Sequence, residues 1–469
     1  MRTRIITSFF VPFALFFFSF SVSAKDIYAS STTGVDTNDG LTVGTSVASV
    51  ARAYALASDG DVIKLDGTFL FGAEISMVKS ITIESLSATK AILDGQGKCR
   101  FFTLNTLNKN VTLKNLTFQN GSGDNGGAFS FNTNFGRTMN ITDCIFDGNK
   151  ATGQGGVIRM STYGGTDLLK INRCLFINNI SGNHGGVINF TPEGGSQVSN
   201  SAVLSISNST FTHNKNNGGV GGILYVDGSA SKWATFNLTN ITVSGNSDFG
   251  NPAGNNPGFA FIGSTMNVNV NNSIIEGNPL ANGNYADLVF SATPTALTVK
   301  NSIIGNVTVN GVTVDPQYFA VTESNVNNVK ISTDALVAGL GTFNGIYFPL
   351  TSASLAYQYG KMSNLASEIN ADQLAHSRTN STLTSAGAVN YVDIVSDSKN
   401  LNLKSNLLVG KNQITIIAEN SKAEVYNLSG ILVNSALIQG SATMILKQGI
   451  YIVKISSSIN KSTSKVIIK

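Results

Sequence analysis

Residues 169–190 read LKINRCLFINNISGNHGGVINF, and the same pattern returns before and after them. Two apolar residues, Leu169 and Ile171, stand two apart; Phe176 follows, then Asn179, and Gly185-Gly186 opens Val187-Ile188. Aligning the chain on this Phe puts Phe118, Phe146, Phe176, Phe211, Val243, Ile275 and Ile304 in one slot, at successive spacings of 28, 30, 35, 32, 32 and 29 residues. Seven positions before the slot stand Val111, Met139, Leu169, Leu204, Phe236, Val268 and Leu297, and five before it Leu113, Ile141, Ile171, Ile206, Leu238, Val270 and Val299. All are apolar, and alternation of period two marks a half-buried strand.

Three before the slot come Asn115, Asp143, Arg173, Asn208, Asn240, Asn272 and Asn301. Asn tolerates turn geometry, and stacked amides can hydrogen-bond from unit to unit, so this position reads as an asparagine ladder at a bend. Asn149, Asn179, Asn214, Asn246 and Asn278 recur three past the slot. A second strand follows the glycine pairs Gly126-Gly127, Gly155-Gly156, Gly185-Gly186 and Gly221-Gly222, which permit a corner closed to other residues. At Pro257-Gly258 only one glycine of the pair remains.

A strand, a bend, a second strand and a variable return over about 30 residues describe one coil of a β-solenoid, because units this small cannot bury a core alone and must stack. Val78 to Leu86 and Ala91 to Gly97 read as earlier coils, and Val47 to Ala57 as a helix. Composition agrees: of 469 residues 42% are hydrophobic and only 12% charged, with 47 Gly and 53 Asn. That profile excludes a coiled coil and a highly charged disordered chain, and a net charge of +4 gives no electrostatic case for nucleic acid.

Arg2 and Arg4, the apolar run Ile5 to Phe20 and the small residues Ser21-Val22-Ser23-Ala24 predict a secretory signal at 1–24. The mature chain is then expected outside the cytoplasm, secreted or attached to the outer surface, and as a monomer. Its three cysteines, Cys99, Cys144 and Cys174, are an odd number without metal-ligand spacing. Cys144 and Cys174 each precede the slot by two, which predicts inward, free thiols one coil apart.

These features resemble right-handed parallel β-helix proteins of the pectate-lyase-like superfamily, and the Phe-x-x-Asn and Gly-Gly-x-Ile words are similar to the short repeats of polymorphic outer-membrane proteins. The resemblance covers residues 25–391. Tyr28-Ala29-Ser30, Asp36 to Gly40, the helix, and Gly60 to Phe69 match the start of the family in order, where a helix caps the open end of the core. Asp372-Gln373, Arg378 and Gly387-Ala388 match its closing pattern.

From about Tyr391 short alternating strands take over, at Gln413 to Ile417, Ala423 to Leu428, Thr443 to Leu446, Gly449 to Ile455 and Lys465 to Lys469, with turns at Ser429-Gly430, Gln439-Gly440 and Gln448-Gly449. They read as a small antiparallel sandwich over 392–469. Its words, carried by Leu428, Gly430, Gly449, Tyr451, Lys465 and Lys469, resemble the C-terminal sorting domain of type IX secretion, which implies that machinery as a partner. The family's usual opening Pro-Asn-Pro is replaced by Val409-Gly410-Lys411-Asn412.

Solenoid lyases and hydrolases use clustered carboxylates, bound Ca²⁺ and a Lys or Arg base. Here Asp143, Asp147, Asp167, Asp227 and Glu276 share no repeat position, and no metal or cofactor is implied. His184 reads as a corner residue on the surface, and the single Trp233 indicates no aromatic sugar platform. The best outward file is Ser130, Arg159, Asn189 and Tyr225, each between two apolar residues of a second strand. Such a row suits the hydroxyls and ring faces of sugars, and equally a plain solvated face. Two functions stay open: noncatalytic adhesion to a glycan or cell-surface partner, or a polysaccharide lyase or hydrolase.

Overall fold

The apolar alternation builds one face of a stack. Val111, Met139, Leu169, Leu204, Phe236, Val268 and Leu297 are consecutive register partners in a parallel sheet, and Leu113 through Val299 run beside them in the same register. The computed structural model describes residues 24–104, 108–132, 138–163, 168–193, 202–227, 234–248, 258–280, 287–314, 329–331, 338–350, 353–357, 359–365, 369–378, 383–390, 406–410, 413–456 and 461–468. The expected signal segment, Asp167, Trp233 and Lys469 lie outside these residues, Ala24 excepted. Two compact units, Met1–Tyr391 and Val392–Lys469, divide the chain.

Sheet A has ten parallel strands, from Asp26–Ser30 to Ala296–Lys300. The chain leaves it through a single left-handed residue: Asn115, Asp143, Arg173, Asn208, Asn240, Asn272 and Asn301 all have φ between 47° and 57°. Asn adopts this conformation at little cost, whereas other side chains lose roughly 1–2 kcal/mol. The two departures from Asn support each other, since Arg173 Nε and Nη2 donate to the two Asp143 carboxylate oxygens, both at 2.7 Å.

Past this corner lies sheet B, ten parallel strands from Thr68–Leu70 to Val329–Ile331. Its inward column is the alignment slot, from Phe118 to Ile304. Four of its rings, Phe118, Phe146, Phe176 and Phe211, stack with centroids 5.2, 4.8 and 4.6 Å apart and planes within 9° of parallel. Such ring contacts each contribute about 0.5–1.5 kcal/mol beyond burial. Cys144 and Cys174 are buried free thiols beside this column, and burial pushes the Cys174 thiol well above its usual range.

The continuous amide ladder stands at the second corner, not at the first. Asn149, Asn179, Asn214, Asn246 and Asn278 are wholly buried, and each Nδ2 donates to the Oδ1 of the next at 2.8–3.0 Å. The same Oδ1 atoms accept the preceding main-chain N–H, and each Nδ2 also reaches a carbonyl of sheet B, such as Phe176 O at 2.9 Å. Gly121 N–H donates into one end, and Asp287 closes the other, its Oδ1 accepting from Asn278 N and Nδ2 and its Oδ2 from Asn306 N. Burial pushes the Asp287 carboxyl up to about 7.

A two-residue strand follows in five coils, making a short sheet D from Ser122–Gly123 to Ser247–Asp248. Each of these five coils thus has three strands and this fourth short one, against the two expected. The glycine pair then turns the chain. Gly155 has φ of 66°, and a Cβ on Gly156 would lie 2.1 Å from Gly186 O, so the first glycine serves conformation and the second close coil-to-coil approach. Gly258, the glycine left without its pair, has the second role, because its Cβ would meet Asp287 O at 1.9 Å. Sheet C follows with ten strands; nine are parallel, and the antiparallel Val312–Thr313 ends it against Val307–Val309.

The helix Val50–Leu56 covers the first coil. Ser49 Oγ caps it by accepting from Arg52 N–H at 3.1 Å, and Val50, Ala53 and Tyr54 are buried. Tyr54 Oη accepts from Val78 N–H at 2.6 Å, and Lys79 Nζ donates to the carbonyls of Tyr54 and Ala57, so the cap is tied to the link between the strands Ile75–Ser76 and Ile81–Ser85. The matched closing residues do not cover the far end. They lie along the outer face of sheet B, where Gln373 meets Thr210, Ala388 N–H donates to Thr242 Oγ1 and Gly387 N–H to Asn272 O. Ala338, Ala356 and Ala386 pack there on Ile274 and Ile303. Buried Arg378 donates to Thr384 Oγ1 and to the carbonyls of Ser385, Gly387 and Ala388.

In the second unit the described residues form five antiparallel strands joined in one hydrogen-bonded network: Asn406–Gly410, Gln413–Asn427, Leu432–Ile445, Gly449–Ser456 and Lys461–Ile468. The long strand Gln413–Asn427 shifts register between Ala418 and Ser421, opposite Gln439-Gly440, which is therefore an irregularity inside a strand where a turn was expected. Both halves feed one core that includes Ile414, Val425, Val453 and Val466. The molecule is all-β, a parallel β-helix solenoid plus a small antiparallel unit, as the sequence predicts.

Candidate functional site

Sheet C carries the file read from the sequence. Ser130 is in register with Arg159, Arg159 with Asn189, and Asn189 with Tyr225, while Phe129, Ile158, Ile188 and Leu224 beside them enter the core. The expected exposure does not hold for all four. Ser130 and Asn189 are buried, and Arg159 and Tyr225 are half-buried. Asn189 stands between two longer side chains on coils about 4.8 Å away, a position that removes a short side chain from water.

Asn189 is held but not satisfied. Its Oδ1 accepts from Thr191 Oγ1 at 3.1 Å, whereas its Nδ2 is buried with no hydrogen-bond partner among the described residues. Ser161 Oγ, on the coil of Arg159, is in the same state, and Ser161 is the register partner of Thr191. Leaving such a group without a partner costs about 1–3 kcal/mol.

Beside this file stands a residue whose role the sequence did not show. His184 is half-buried, with its ring stacked on Tyr225 at 4.2 Å and 18° between planes. Its Nδ1 accepts from Val220 N–H at 3.0 Å, which puts the proton of the neutral ring on Nε2. Gly219 makes this contact possible, because a Cβ there would lie 2.5 Å from Nδ1. Burial pulls the His184 imidazole down and pushes the Tyr225 phenol up, with Asp227 adding to the second. The only sequence signal was the glycine cluster Gly218-Gly219 one coil after His184.

Asp227 ends the strand Leu224–Asp227 that carries Tyr225 and acts on both rings, whereas the other described carboxylates named from the sequence go elsewhere. Asp143 pairs with Arg173, Asp147 accepts from Asn178 Nδ2 at 2.9 Å, and buried Glu276 accepts from Ala338 N–H at 3.1 Å. Among the described residues no three His, Cys, Asp or Glu side chains gather as a metal site. In the second unit Leu428 is exposed, and Gly430 has φ of 78° in the turn before Leu432–Ile445. Gly449 opens its strand, Tyr451 is buried with its hydroxyl donating to Lys447 O at 3.0 Å, and Lys465 pairs with Ile452 in the last strand pair.

No family model matches the chain, and no curated protein matches it either. Its class rests on its own geometry: an all-β solenoid of parallel coils that carries, on sheet C, a mixed file of amide, guanidinium and aromatic side chains.

Proposed function

We propose that the protein is a secreted or cell-surface β-helix protein of the pectate-lyase-like kind that binds glycan through the outer face of sheet C without transforming it. The observation that carries this is the file of Arg159, Asn189 and Tyr225 in one register, with Asn189 buried between the two longer, half-buried side chains. A hydrogen-bond donor beside an aromatic ring suits the oxygens and the ring faces of a sugar. Residues 392–469 serve in this proposal as a type IX sorting domain, and the machinery that reads it is the export partner. A small net charge of +4 fits a glycan better than a nucleic acid.

Lyase activity is the second reading, favoured by the contact of Tyr225 with a neutral His184 beside Arg159, a set able to move a proton. One experiment addresses both. Purified protein is screened on immobilised plant and microbial polysaccharides, alongside Asn189→Ala and Tyr225→Ala. Retention of at least one glycan, weakened severalfold in both variants and without release of unsaturated sugars absorbing in the ultraviolet, is expected. Appearance of such products would make the protein a lyase, and equal retention of both variants would move the site off sheet C.

A further inference from the structure

The outer face of sheet A forms a groove of about 500 Å³, lined by Asn140, Lys170, Asn172, Ser205, Asn237 and neighbouring residues, with Ile369 as a wall. Its size is that of a ligand site, and its side chains are mostly neutral and polar, with Lys170 and the apolar Ile171, Ile206 and Ile369 among them. Asn140, Lys170, Ser205, Asn237 and Asn269 are successive register partners, one per coil.

The amides in this file are oriented before any ligand arrives. Asn237 Nδ2 donates to Ser205 Oγ at 3.2 Å while Asn237 Oδ1 accepts from Asn269 Nδ2 at 3.0 Å; one coil file over, Ser207 Oγ donates to Asn172 Oδ1 at 3.0 Å. A side-chain amide has two N–H donors and two acceptor lone pairs, so the bonds along the file leave Asn237 one of each. A donor and an acceptor side by side match a hydroxyl, which both gives and takes a hydrogen bond. A carboxylate only accepts and would meet the Oδ1 atoms unfavourably, with Lys170 the sole cation among the lining residues. The coil rise of about 4.8 Å is also close to the length of one pyranose unit in an extended chain.

We propose that the outer face of sheet A is a second, separate groove for an extended, uncharged polysaccharide, its sugars laid along the solenoid axis with about one unit per coil. It goes beyond the sheet C site and does not depend on it. The test uses the full chain and neutral β-1,4-linked hexasaccharides of glucose, xylose and mannose, with oligogalacturonate as the charged comparison, in titration calorimetry. Asn237→Ala breaks the file and Ser205→Trp fills the groove; both residues are partly open to solvent, and circular dichroism checks that each variant folds. If Ser205→Trp does not fold, Asn237→Ala alone decides. Binding of a neutral hexasaccharide, weakened tenfold or more by the groove variants, is the expected result. The proposal is overturned if no neutral hexasaccharide binds, if the groove variants bind as the parent does, or if only oligogalacturonate binds.

Discussion

Replacing Asn214 by Ala tests whether the buried amide ladder holds the coils together. In the parent, Asn214 Nδ2 donates to Phe176 O at 2.9 Å and to Asn246 Oδ1 at 2.8 Å, and its Oδ1 accepts from Asn179 N at 3.0 Å and Nδ2 at 2.8 Å. The variant leaves the Asn179 main-chain N–H without its acceptor in a site closed to water, a cost of about 1–3 kcal/mol, and removes three further bonds at about 1 kcal/mol each. A loss of about 4–6 kcal/mol is therefore expected before any cavity cost. Urea unfolding followed by circular dichroism reads it as a lower midpoint with an unchanged slope. Asn217→Ala, on an exposed residue outside the left-handed positions, is the matched comparison. A loss below about 1 kcal/mol for Asn214→Ala would mean that main-chain pairing alone sets the stack, contrary to the role assigned to the ladder.

Asp287 predicts a pH dependence. Its carboxyl titrates near 7 when folded against 3.8 for the free group, so the stability it contributes is complete below about pH 4 and lost as pH rises through 7, by up to roughly 4 kcal/mol. Denaturant midpoints should fall over that window, and Asp287→Asn should flatten the difference; an equal slope in both proteins would remove Asp287 as the source. Gly156→Ala should prevent the central coils from closing, because its Cβ has Gly186 O at 2.1 Å, whereas Gly72→Ala, with nothing within 4 Å, should leave the melting temperature within a few degrees. Similar melting curves for the two would contradict the close approach. Removing residues 392–469 should trap the protein in the periplasm of a host with type IX secretion, and undiminished surface export of the shortened chain would refute the sorting role.

The interior was legible because period-two alternation and a repeated slot are direct imprints of parallel stacking. Leu113, Ile141, Ile171, Ile206 and Leu238 are neighbours in one column, as their spacing implies. Sheet D was not legible, since two residues cannot display an alternation. Two sets of recurring Asn looked alike in the sequence, and only the fold separates their tasks: those before the slot adopt left-handed backbone, while those after it turn their amides inward. The candidate site was half legible. Direction followed from alternation, but the burial of Ser130 and Asn189 depends on the lengths of side chains on adjacent coils, and the His184–Tyr225 contact joins residues of different coils that no local pattern links.

The strap formed by the described residues between 338 and 390 gives the solenoid a mechanical polarity. Coils bound only to their neighbours should open one at a time under tension, each releasing a contour of roughly 100 Å for about 30 residues. The strap, however, crosses several of them, touching Thr210, Thr242, Asn272 and Ile303 along the outside of sheet B. Force applied from the C-terminal side must strip it before the coils beneath can peel, while force from the N-terminal side first lifts the cap helix and then reaches coils the strap does not touch. A single-molecule extension trace should therefore begin with a larger, strap-sized event when the solenoid is pulled from behind, and with even, coil-sized steps after the cap when it is pulled from the front. Identical traces in both directions would show that the strap bears no load. If it does, a solenoid of this build yields gradually at one end and resists at the other.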